Sequence, residues 1–300
     1  MPSPEVLQKP VKRLPDWLRR PLPAGTSEGT RQILSRNRLT TVCEEAKCPN
    51  RVECYSRSTA TFMILGDTCT RSCGFCSVKT GKPLVLEADE PARVAQAVRE
   101  LGLGYVVITS VARDDLKDEG AGHFAGTIRS VRAVNPGVMI EVLTPDFHGR
   151  EELISAVVAE KPDVFNHNLE TVERLQRRVR VQAEYRRSLG VLAAVKRLDP
   201  AMVTKSGLML GLGESQSEIM QAARDLKEAG CDILTLGQYL NPESTGYLPV
   251  ERFVSPQEFE DLERQIQQFG FKEVFAGPYV RSSYHAGETF LKYNNAVKGD

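Results

Sequence analysis

A chain of 300 residues in which 39 basic side chains balance 39 acidic ones lacks the positive field with which proteins hold nucleic acid by its phosphates. No run approaches the roughly 20 apolar residues of a membrane-spanning helix, and the N-terminal segment MPSPEVLQKPVKRLPDW lacks the apolar centre of a signal peptide. We therefore expect a cytoplasmic protein that binds neither nucleic acid nor membrane.

Residues 1–57 are rich in proline, arginine and charge and show no clear period, which is typical of an irregular segment with short helices. We predict an N-terminal extension over this range. From residue 58 onward, short β-branched segments alternate with amphipathic segments of helical length. The six predicted strands lie in segments that begin at Thr59, Tyr105, Val138, Asp163, Val203 and Asp232.

Six successive strand-then-helix units predict an α/β fold with a parallel sheet and right-handed crossovers. Six units are fewer than the eight that close a full barrel. We therefore predict a partial (β/α)6 TIM-like barrel over residues 58–270, with an open doubly wound sheet as the competing architecture. Residues 271–300 are predicted to form a C-terminal extension, and both extensions are expected to cover the open barrel mouth. In either architecture, ligands bind at the carboxyl ends of the strands.

Six of the seven cysteines fall into two triads. The first has the spacing C-x4-C-x5-C and the second C-x3-C-x2-C, and they comprise Cys43, Cys48 and Cys54, and Cys69, Cys73 and Cys76. An odd total with tight spacings, in a reducing compartment, favours metal ligands over disulfides. Cys231 stands apart from both triads, and we expect it to be a buried core residue.

The absence of nearby histidine ligands indicates which kind of metal site the triads form. A structural zinc ion requires four ligands, yet neither triad has a histidine nearby, and we assign none of the four histidines to metal. Iron–sulfur clusters fit better, because thiolates are their usual protein ligands. Three thiolates on a four-iron cluster leave one iron without a cysteine, and that iron is free to bind substrate or cofactor.

The segment GDTCTRSCGFCSV follows the first predicted strand, and aromatic Phe75 precedes its last cysteine. It resembles the cluster loop of the radical S-adenosylmethionine superfamily. The resemblance implies that Cys69, Cys73 and Cys76 hold a 4Fe-4S cluster whose open iron chelates the amino and carboxylate groups of S-adenosylmethionine. An electron from the reduced cluster would then break the sulfonium bond and yield a 5'-deoxyadenosyl radical.

The other triad, with the segments TSVARDDL, FNHNLET, KSGLMLGLGE and RSSYHAGE, resembles the lipoyl synthase family from Val42 to Glu288. The resemblance implies that Cys43, Cys48 and Cys54 hold an auxiliary 4Fe-4S cluster that gives up its own sulfide ions. It also implies a serine of the R-S-S-Y motif as the fourth ligand. That serine maps to Ser283, with Ser282 as the less favoured choice.

The reaction implied by the resemblance is the insertion of two sulfur atoms, at C6 and C8, into an octanoyl chain attached to a carrier domain. Unactivated methylenes have no acidic proton, so a radical has to abstract hydrogen, and one S-adenosylmethionine is consumed per carbon. The implied partners are octanoylated lipoyl carrier domains, an electron donor for the radical cluster, and iron–sulfur cluster assembly or carrier proteins.

Further cofactor contacts are expected at the strand ends. FNHNLE resembles the biotin synthase strand that holds the cofactor ribose, which implies that Asn168 and Glu170 bind it; helix capping is the alternative. Gly211 is expected to allow close backbone approach to the adenosyl group, with a turn as the alternative. Thr109 is expected near the methionyl end, although capping or a turn competes. Phe75 belongs to the same expected cofactor set.

Rival functions differ in the features that they require. Another sulfur-inserting radical enzyme, either biotin synthase-like or a methylthiotransferase, is the alternative within enzymes. Biotin synthase lacks the C-x4-C-x5-C triad, and the neutral charge does not favour RNA. A two-cluster electron-transfer protein would be better served by four cysteines per cluster. The arginine-rich segment over residues 174–187 is interpreted as a solvated face or, as a hypothesis, a surface that steers an acidic carrier domain.

Overall fold

The computed structural model describes residues 13–19, 27–242, 246–284 and 286–287. His285 and Glu288 of the C-terminal motif lie outside the described residues. The helices in chain order are α1 (Glu28–Arg36), α2 (Val42–Glu45), α3 (Arg51–Ser56), α4 (Glu90–Leu101), α5 (Ala121–Val134), α6 (Glu151–Val158), α7 (Gln176–Val179), α8 (Tyr185–Leu198), α9 (Gln216–Glu228) and α10 (Pro256–Gln267). Short 3-10 helices span Asp16–Leu18, Phe147–Gly149 and Glu173–Leu175.

The strands form one large sheet and one two-stranded ribbon. Their bounds are β1 (Thr40–Thr41), β2 (Thr61–Ile64), β3 (Thr68–Cys69), β4 (Lys79–Thr80), β5 (Tyr105–Ser110), β6 (Met139–Leu143), β7 (Val164–Asn166), β8 (Val203–Leu210), β9 (Ile233–Gln238) and β10 (Glu273–Gly277). The large sheet has the order β1-β2-β5-β6-β7-β8-β9-β10, and β3 pairs with β4 in the ribbon.

Every pairing in the large sheet is parallel except that of β1 with β2. A helix separates each strand from its parallel successor, namely α4, α5, α6, α8, α9 and α10. Among the described residues, β1 and β10 are the two edges of the sheet and do not pair with each other. The predicted open α/β architecture with a parallel sheet is therefore confirmed.

The sheet is longer than the six predicted units. β10 adds a seventh parallel strand beside β9, with Glu273 opposite Ile233 and Gly277 opposite Gly237. The segment EVFAG lacks the β-branched run that marks the other strands, which explains why the pattern did not predict it. β1 and β10 lie in the predicted N-terminal and C-terminal extensions, and the boundaries at residues 57 and 270 stay predictions.

The strands are buried on both faces, as expected of a parallel sheet. Four successive residues of β2 are buried, and all six of β9 are. The face turned away from the helices carries an apolar layer at the amino ends of the strands, formed by Tyr105, Met139, Val164, Val203, Ile233 and Phe275. Val164, Val203 and Ile233 are buried in this layer, and the other three side chains are partly buried.

A buried charged group lies next to that apolar layer. Lys205 Nζ on β8 donates to both carboxylate oxygens of Glu141 on β6, at 3.1 and 3.0 Å. Asn166 and Tyr105 also donate to Glu141, at 2.9 and 2.6 Å. Because buried charges are tolerated only when they are paired and hydrogen-bonded, these four side chains fix the interior faces of β5 to β8 relative to one another.

His167 follows β7 and is fully buried. Its Nδ1 lies 2.9 Å from the carbonyl oxygen of Thr144, so Nδ1 carries the proton, and Nε2 has no partner among the described residues. Burial and the nearby Arg180 lower the pKa of His167 to about 4. The imidazole is therefore neutral in the folded protein, as expected of a structural histidine.

We expect His167 to make folding stability depend on pH. The unfolded chain binds the proton near its ordinary pKa of 6.5, whereas the folded chain binds it only near 4. Above pH 6.5, His167 is neutral in both states and does not lower the free energy of unfolding. As the pH falls from 7 to 5, protonation of the unfolded chain lowers the free energy of unfolding by about 2 kcal/mol. Urea denaturation of cluster-free wild type and His167→Gln at both pH values measures this, and an equal loss in both proteins contradicts it.

No helix among the described residues combines the length and the apolar character needed to cross a membrane.

Candidate active site

The second cysteine triad begins at the carboxyl end of the sheet. Leu65 and Gly66 turn the chain after β2, both with positive φ, and β3 then carries Cys69. Cys69 Sγ accepts hydrogen bonds from the amides of Ala112, at 3.3 Å, and Arg71, at 3.4 Å. Ala112 follows β5, so the thiol lies where two adjacent strands end.

The three thiols of this triad lie close enough to affect one another electrostatically. Burial, together with the neighbouring charges of Cys73 and Cys69, raises the pKa of Cys76 to about 12. Burial likewise raises the pKa of Cys73, and Arg180 opposes that effect. Buried thiols of this kind become thiolates only when a cation compensates their charge, which is the environment that a metal centre provides.

Arg71 fixes the loop that carries the triad. Its guanidinium binds Asp114 through two nitrogens, with distances of 2.8 to 3.1 Å, and Asp146 through a third, at 2.8 Å. Burial alone would raise the pKa of Asp146, but Arg71 and Arg187 hold it down to about 2. Asp114 and Asp146 follow β5 and β6, so the loop is tied to two strand ends by ion pairs.

Asn168 and Glu170 lie beside this triad, at the carboxyl end of β7. The negative charge of Glu170 raises the pKa of both Cys73 and Cys76. Asn168 Nδ2 donates to Glu170 at 3.0 Å, while Asn168 Oδ1 is buried without a partner among the described residues. Burial raises the pKa of Glu170. The alternative of helix capping is wrong, because the next helix has Val172 at its N-cap and no side-chain cap.

The first cysteine triad lies at the opposite end of β2. Burial raises the pKa of Cys43 to about 11, and Thr61, the first residue of β2, hydrogen-bonds to this thiol. Burial, together with charges on Cys43 and Cys48, raises the pKa of Cys54 to about 12. The two ends of β2 therefore lie about 10 Å apart, with Cys43 beside Thr61 at one end and the turn to Cys69 after Ile64 at the other.

The C-terminal R-S-S-Y segment joins the first triad to the barrel. Asn50 Nδ2 donates to the carbonyl oxygen of Tyr279 at 2.8 Å. The hydroxyl of Tyr284 lies 3.0 Å from the carboxylate of Glu53. Both Asn50 and Glu53 lie between Cys48 and Cys54 in sequence. The segment therefore packs directly on the polypeptide that carries the first triad.

The two serines of this segment have different surroundings. Ser282 Oγ accepts a hydrogen bond from Asn168 at 3.1 Å, which places it beside the second triad. Ser283 lines a cavity of about 300 Å³ together with Cys54, Thr61 and Tyr105. Of the two hydroxyls, that of Ser283 therefore shares a space with a cysteine of the first triad.

Arg281 lies within electrostatic range of residues around both triads. Burial lowers the pKa of Arg281, and the negative charges of Cys48 and Glu170 oppose that effect. Nη1 donates to the carbonyl oxygen of Val280 at 2.7 Å. Cys48 belongs to the first triad and Glu170 lies beside the second, so one guanidinium interacts electrostatically with both sites.

The profile of the radical SAM superfamily matches residues 63–226. The protein named lipoyl synthase 2 from Gloeobacter violaceus is 55% identical over 94% of this chain and 97% of its own length. Lipoyl synthase from Rubrobacter xylanophilus is 54% identical over 91% of this chain and 85% of its own length. This chain belongs to the lipoyl synthase family. It is accordingly a radical SAM enzyme with a 4Fe-4S cluster and S-adenosylmethionine as cofactors.

Solved structures support the fold of this lipoyl synthase family member. Streptococcus suis SuiB bound to S-adenosylmethionine superposes with a TM-score of 0.56 at 14% identity, over 71% of this chain and 49% of SuiB. Methylornithine synthase superposes with a TM-score of 0.55 at 13% identity, over 83% of this chain and 74% of that enzyme. At such low identity the likeness shows a shared fold alone.

The donor sets of this lipoyl synthase family member fit clusters better than single ions. All seven cysteines are free thiols. Thiolates on one tetrahedral zinc ion lie about 3.8 Å apart, but in neither triad do all three sulfurs lie within 4.8 Å of one another. Wider spacing suits a multi-iron cluster, which binds each thiolate at a different iron.

Another group of potential ligands lies outside the triads. Donor atoms of Asp114, Glu119 and His148 all lie within 4.8 Å of one another. Arg71 neutralises Asp114, and Arg150 donates to Glu119 at 2.9 Å. Because two guanidinium groups already balance the two carboxylates, this group is a structural ion-pair network of the lipoyl synthase fold.

The remaining predicted contacts stay predictions. Thr109 Oγ1 donates to the carbonyl oxygen of Leu143 at 2.9 Å, so its hydroxyl is engaged within the sheet. Gly211 has φ 103°, and a Cβ there would lie 2.3 Å from Gln238 Nε2, so protein packing already requires glycine. Phe75 packs against the apolar core around β8 and β9. Each lies at or near the carboxyl end of the sheet.

Sequence patterns did not single out Gly237, and they placed Arg180 only within the arginine-rich segment over residues 174–187. A Cβ on Gly237 would lie 2.1 Å from the carbonyl oxygen of Val280, so this glycine admits the C-terminal segment into the interior. Arg180 Nη1 donates to the carbonyl oxygen of Asn168 at 3.0 Å and supports the loop after β7. A glycine inside an otherwise buried strand was the signal available for Gly237.

Proposed function

We propose that this chain inserts two sulfur atoms, at C6 and C8, into an octanoyl chain carried by a lipoyl domain. The observation that carries the proposal is the position of Cys43 beside the first residue of β2 and of Cys69 beyond its last residue, with Arg281 within electrostatic range of Cys48 and Glu170. Relatives that are named lipoyl synthase and align over nearly the whole chain favour this reaction over that of a biotin synthase-like enzyme or a methylthiotransferase.

Cys69, Cys73 and Cys76 would hold the radical cluster, which supplies one electron for cleaving S-adenosylmethionine into methionine and a 5'-deoxyadenosyl radical. The surrounding residues bind and orient the cofactor. Asn168 Oδ1, buried and without a described partner, is a free acceptor for a ribose hydroxyl, and Glu170 lies beside it. Phe75, Thr109 and Gly211 complete the proposed cofactor set.

We infer that Cys43, Cys48 and Cys54 hold a second four-iron cluster, which serves as the sulfur-donating substrate. Ser283 is the proposed fourth ligand, because it lines the same cavity as Cys54 whereas Ser282 is engaged by Asn168. An alkoxide is a hard ligand and binds iron more weakly than a soft thiolate does. A cluster that loses sulfur benefits from one exchangeable ligand of this kind.

The interior between the triads positions the octanoyl chain. Each methylene has to lie between the 5'-carbon of the cofactor and a sulfide, and triads beside opposite ends of β2, about 10 Å apart along the strand, would place the alkyl chain between them. The apolar layer at the amino ends of the strands and the C-terminal segment that enters beside Gly237 exclude water from this space.

The proposed partners are an octanoylated lipoyl carrier domain, an electron donor and iron–sulfur assembly proteins, in the cytoplasm. The arginines of the segment over residues 174–187 are not all exposed to solvent. Arg180 is buried, and Arg187 binds Asp146 at 3.2 Å. Arg177 and Arg178 on α7 remain at the surface, where they would attract an acidic carrier domain.

The test is an anaerobic assay with reconstituted protein, S-adenosylmethionine, dithionite and an octanoylated lipoyl domain. We expect the domain to gain two sulfur atoms by mass spectrometry while about two 5'-deoxyadenosine molecules form per product. Iron and sulfide analysis should give about eight irons per chain. A domain without added sulfur, or a product with one methylthio group, contradicts the proposal.

A further inference from the structure

The loop that follows β4 presents apolar side chains to solvent. We define the outer loop as residues 81–86, with the sequence GKPLVL. Leu84 is 82% exposed and Val85 is 91% exposed, more than any other large apolar side chain among the described residues. Leu86 packs against the core. The outer loop is therefore anchored, and it holds two apolar side chains outward.

Two lysines that form no ion pair with any described residue flank the outer loop, and one exposed acidic residue, Asp67, lies beside β4 next to the pairing of Thr68 with Lys79. Lys79 and Lys82 are exposed, and neither forms an ion pair within the described part of the chain. The next acidic residues, Glu87 and Asp89, are both bound by Arg93. Because the whole chain has no net charge, this positive apolar patch is a local feature and complements an acidic partner with an apolar centre.

The outer loop is connected directly to the strand that carries Cys69. β4 pairs with β3, and the amide of Gly81 donates to the carbonyl oxygen of Cys69 at 3.0 Å. Leu84 lies three residues further on, so its Cα is at most about 11 Å from that of Gly81. A protein docked on this loop therefore lies next to the radical cluster's ligands.

The outer loop continues into the helix layer. It leads into α4, which packs against α1 and α5. Asn168 and Glu170 follow β7 instead, and Asn168 contacts the C-terminal segment through Ser282. A partner seated at Leu84 therefore lies on the Cys69 side of the site, where an electron has only a short distance to travel.

We propose that Leu84 and Val85, flanked by Lys79 and Lys82, form the docking surface for an acidic, low-potential one-electron carrier protein. This inference rests on the proposed function. In the transfer, the electron-carrier protein loses one electron, and the cluster held by the Cys69 triad gains it. That electron is then consumed in cleaving one S-adenosylmethionine to methionine and the 5'-deoxyadenosyl radical.

The test uses purified flavodoxin as the electron-carrier probe and compares three double variants of the reconstituted enzyme. Leu84→Ser/Val85→Ser removes the apolar centre, and Lys79→Glu/Lys82→Glu reverses the charge. Val134→Ser/Leu198→Ser is the matched control, since both residues are 37% exposed and end α5 and α8, away from the cluster loop. Flavodoxin affinity is measured by calorimetry, and cleavage is measured with flavodoxin and with dithionite.

We expect both outer-loop variants to bind flavodoxin about tenfold more weakly and to lose flavodoxin-driven cleavage in proportion. Dithionite-driven cleavage should be unchanged, and the control variant should match wild type. Unchanged flavodoxin affinity in both variants overturns the docking surface. Wild type that cleaves no S-adenosylmethionine with dithionite contradicts the proposed function instead.

A fourth variant, Arg177→Glu/Arg178→Glu, distinguishes the two partners. It should slow turnover of the carrier domain and weaken its salt dependence while leaving flavodoxin affinity unchanged. If the outer-loop variants impair turnover of the lipoyl carrier domain under dithionite, the outer loop binds that domain and not the electron carrier. The docking proposal is then overturned. If the arginine variant leaves carrier turnover and its salt dependence unchanged, the steering role of α7 is wrong.

Discussion

Replacing Cys73 with alanine should reduce formation of 5'-deoxyadenosine to the level of the cluster-free protein. The half-buried Cys73 thiol lies within electrostatic range of Cys69 and Glu170, and Arg180 favours its charged form. Without it, two thiolates remain where the proposed cluster requires three. The loss should be the same with dithionite and with a protein reductant, because it removes the acceptor of the electron. Chromatography of anaerobic reactions measures it.

Cys231 provides the matched control. It is fully buried, and its thiol donates to the carbonyl oxygen of Ile233 at 3.2 Å, remote from both triads in sequence. Cys231→Ala removes one buried sulfur at a cost of about 1 kcal/mol in folding stability, and it should leave iron content and cleavage unchanged. Cleavage that persists in Cys73→Ala, or disappears in Cys231→Ala, contradicts the assignment of the radical cluster.

Much of the fold was predictable because it depends on local patterns. Short β-branched strands followed by amphipathic helices indicate a parallel sheet wherever they repeat, and six of the seven parallel strands followed that pattern. β10 did not, since Glu273–Gly277 is short and ends in Ala-Gly. Its place in the sheet depends on pairing with β9, which the local sequence does not encode.

The cysteines of the candidate site were predictable for a different reason. Three thiols within eight positions have no structural explanation in a core, so the spacing itself pointed to a metal centre. The contacts that connect the two triads join residues far apart in sequence, such as Asn168 with Ser282 and Asn50 with Tyr279. No periodicity links such positions, and only the folded chain reveals that the R-S-S-Y segment enters the interior.

Replacing Cys48 should have the opposite effect from replacing Cys73. Cys48→Ala removes one thiol of the first triad, at the far end of β2 from Cys69. We expect cleavage of S-adenosylmethionine to continue while no sulfur enters the octanoyl chain. Iron should fall from about eight to about four per chain in each of the two variants. Their different activities, at equal iron content, would assign a separate task to each triad.

The serines give a graded version of the same experiment. Ser283→Ala should keep cleavage and about eight irons at the start, yet slow sulfur insertion, because the cavity shared with Cys54 loses its hydroxyl. Ser282→Ala is the matched control, one residue away, and it removes only the acceptor of the Asn168 hydrogen bond. It should affect the apparent affinity for S-adenosylmethionine rather than sulfur transfer.

The decisive comparison is therefore between sulfur transfer and cleavage in the same protein. If Cys48→Ala still yields a product with two sulfur atoms, the first triad is not the sulfur source, and the space between the triads must serve another purpose. If Ser282→Ala blocks sulfur insertion and Ser283→Ala does not, the ligand is the serine beside Asn168. Because these two hydroxyls face different triads, each outcome also reports on which end of β2 supplies the sulfur.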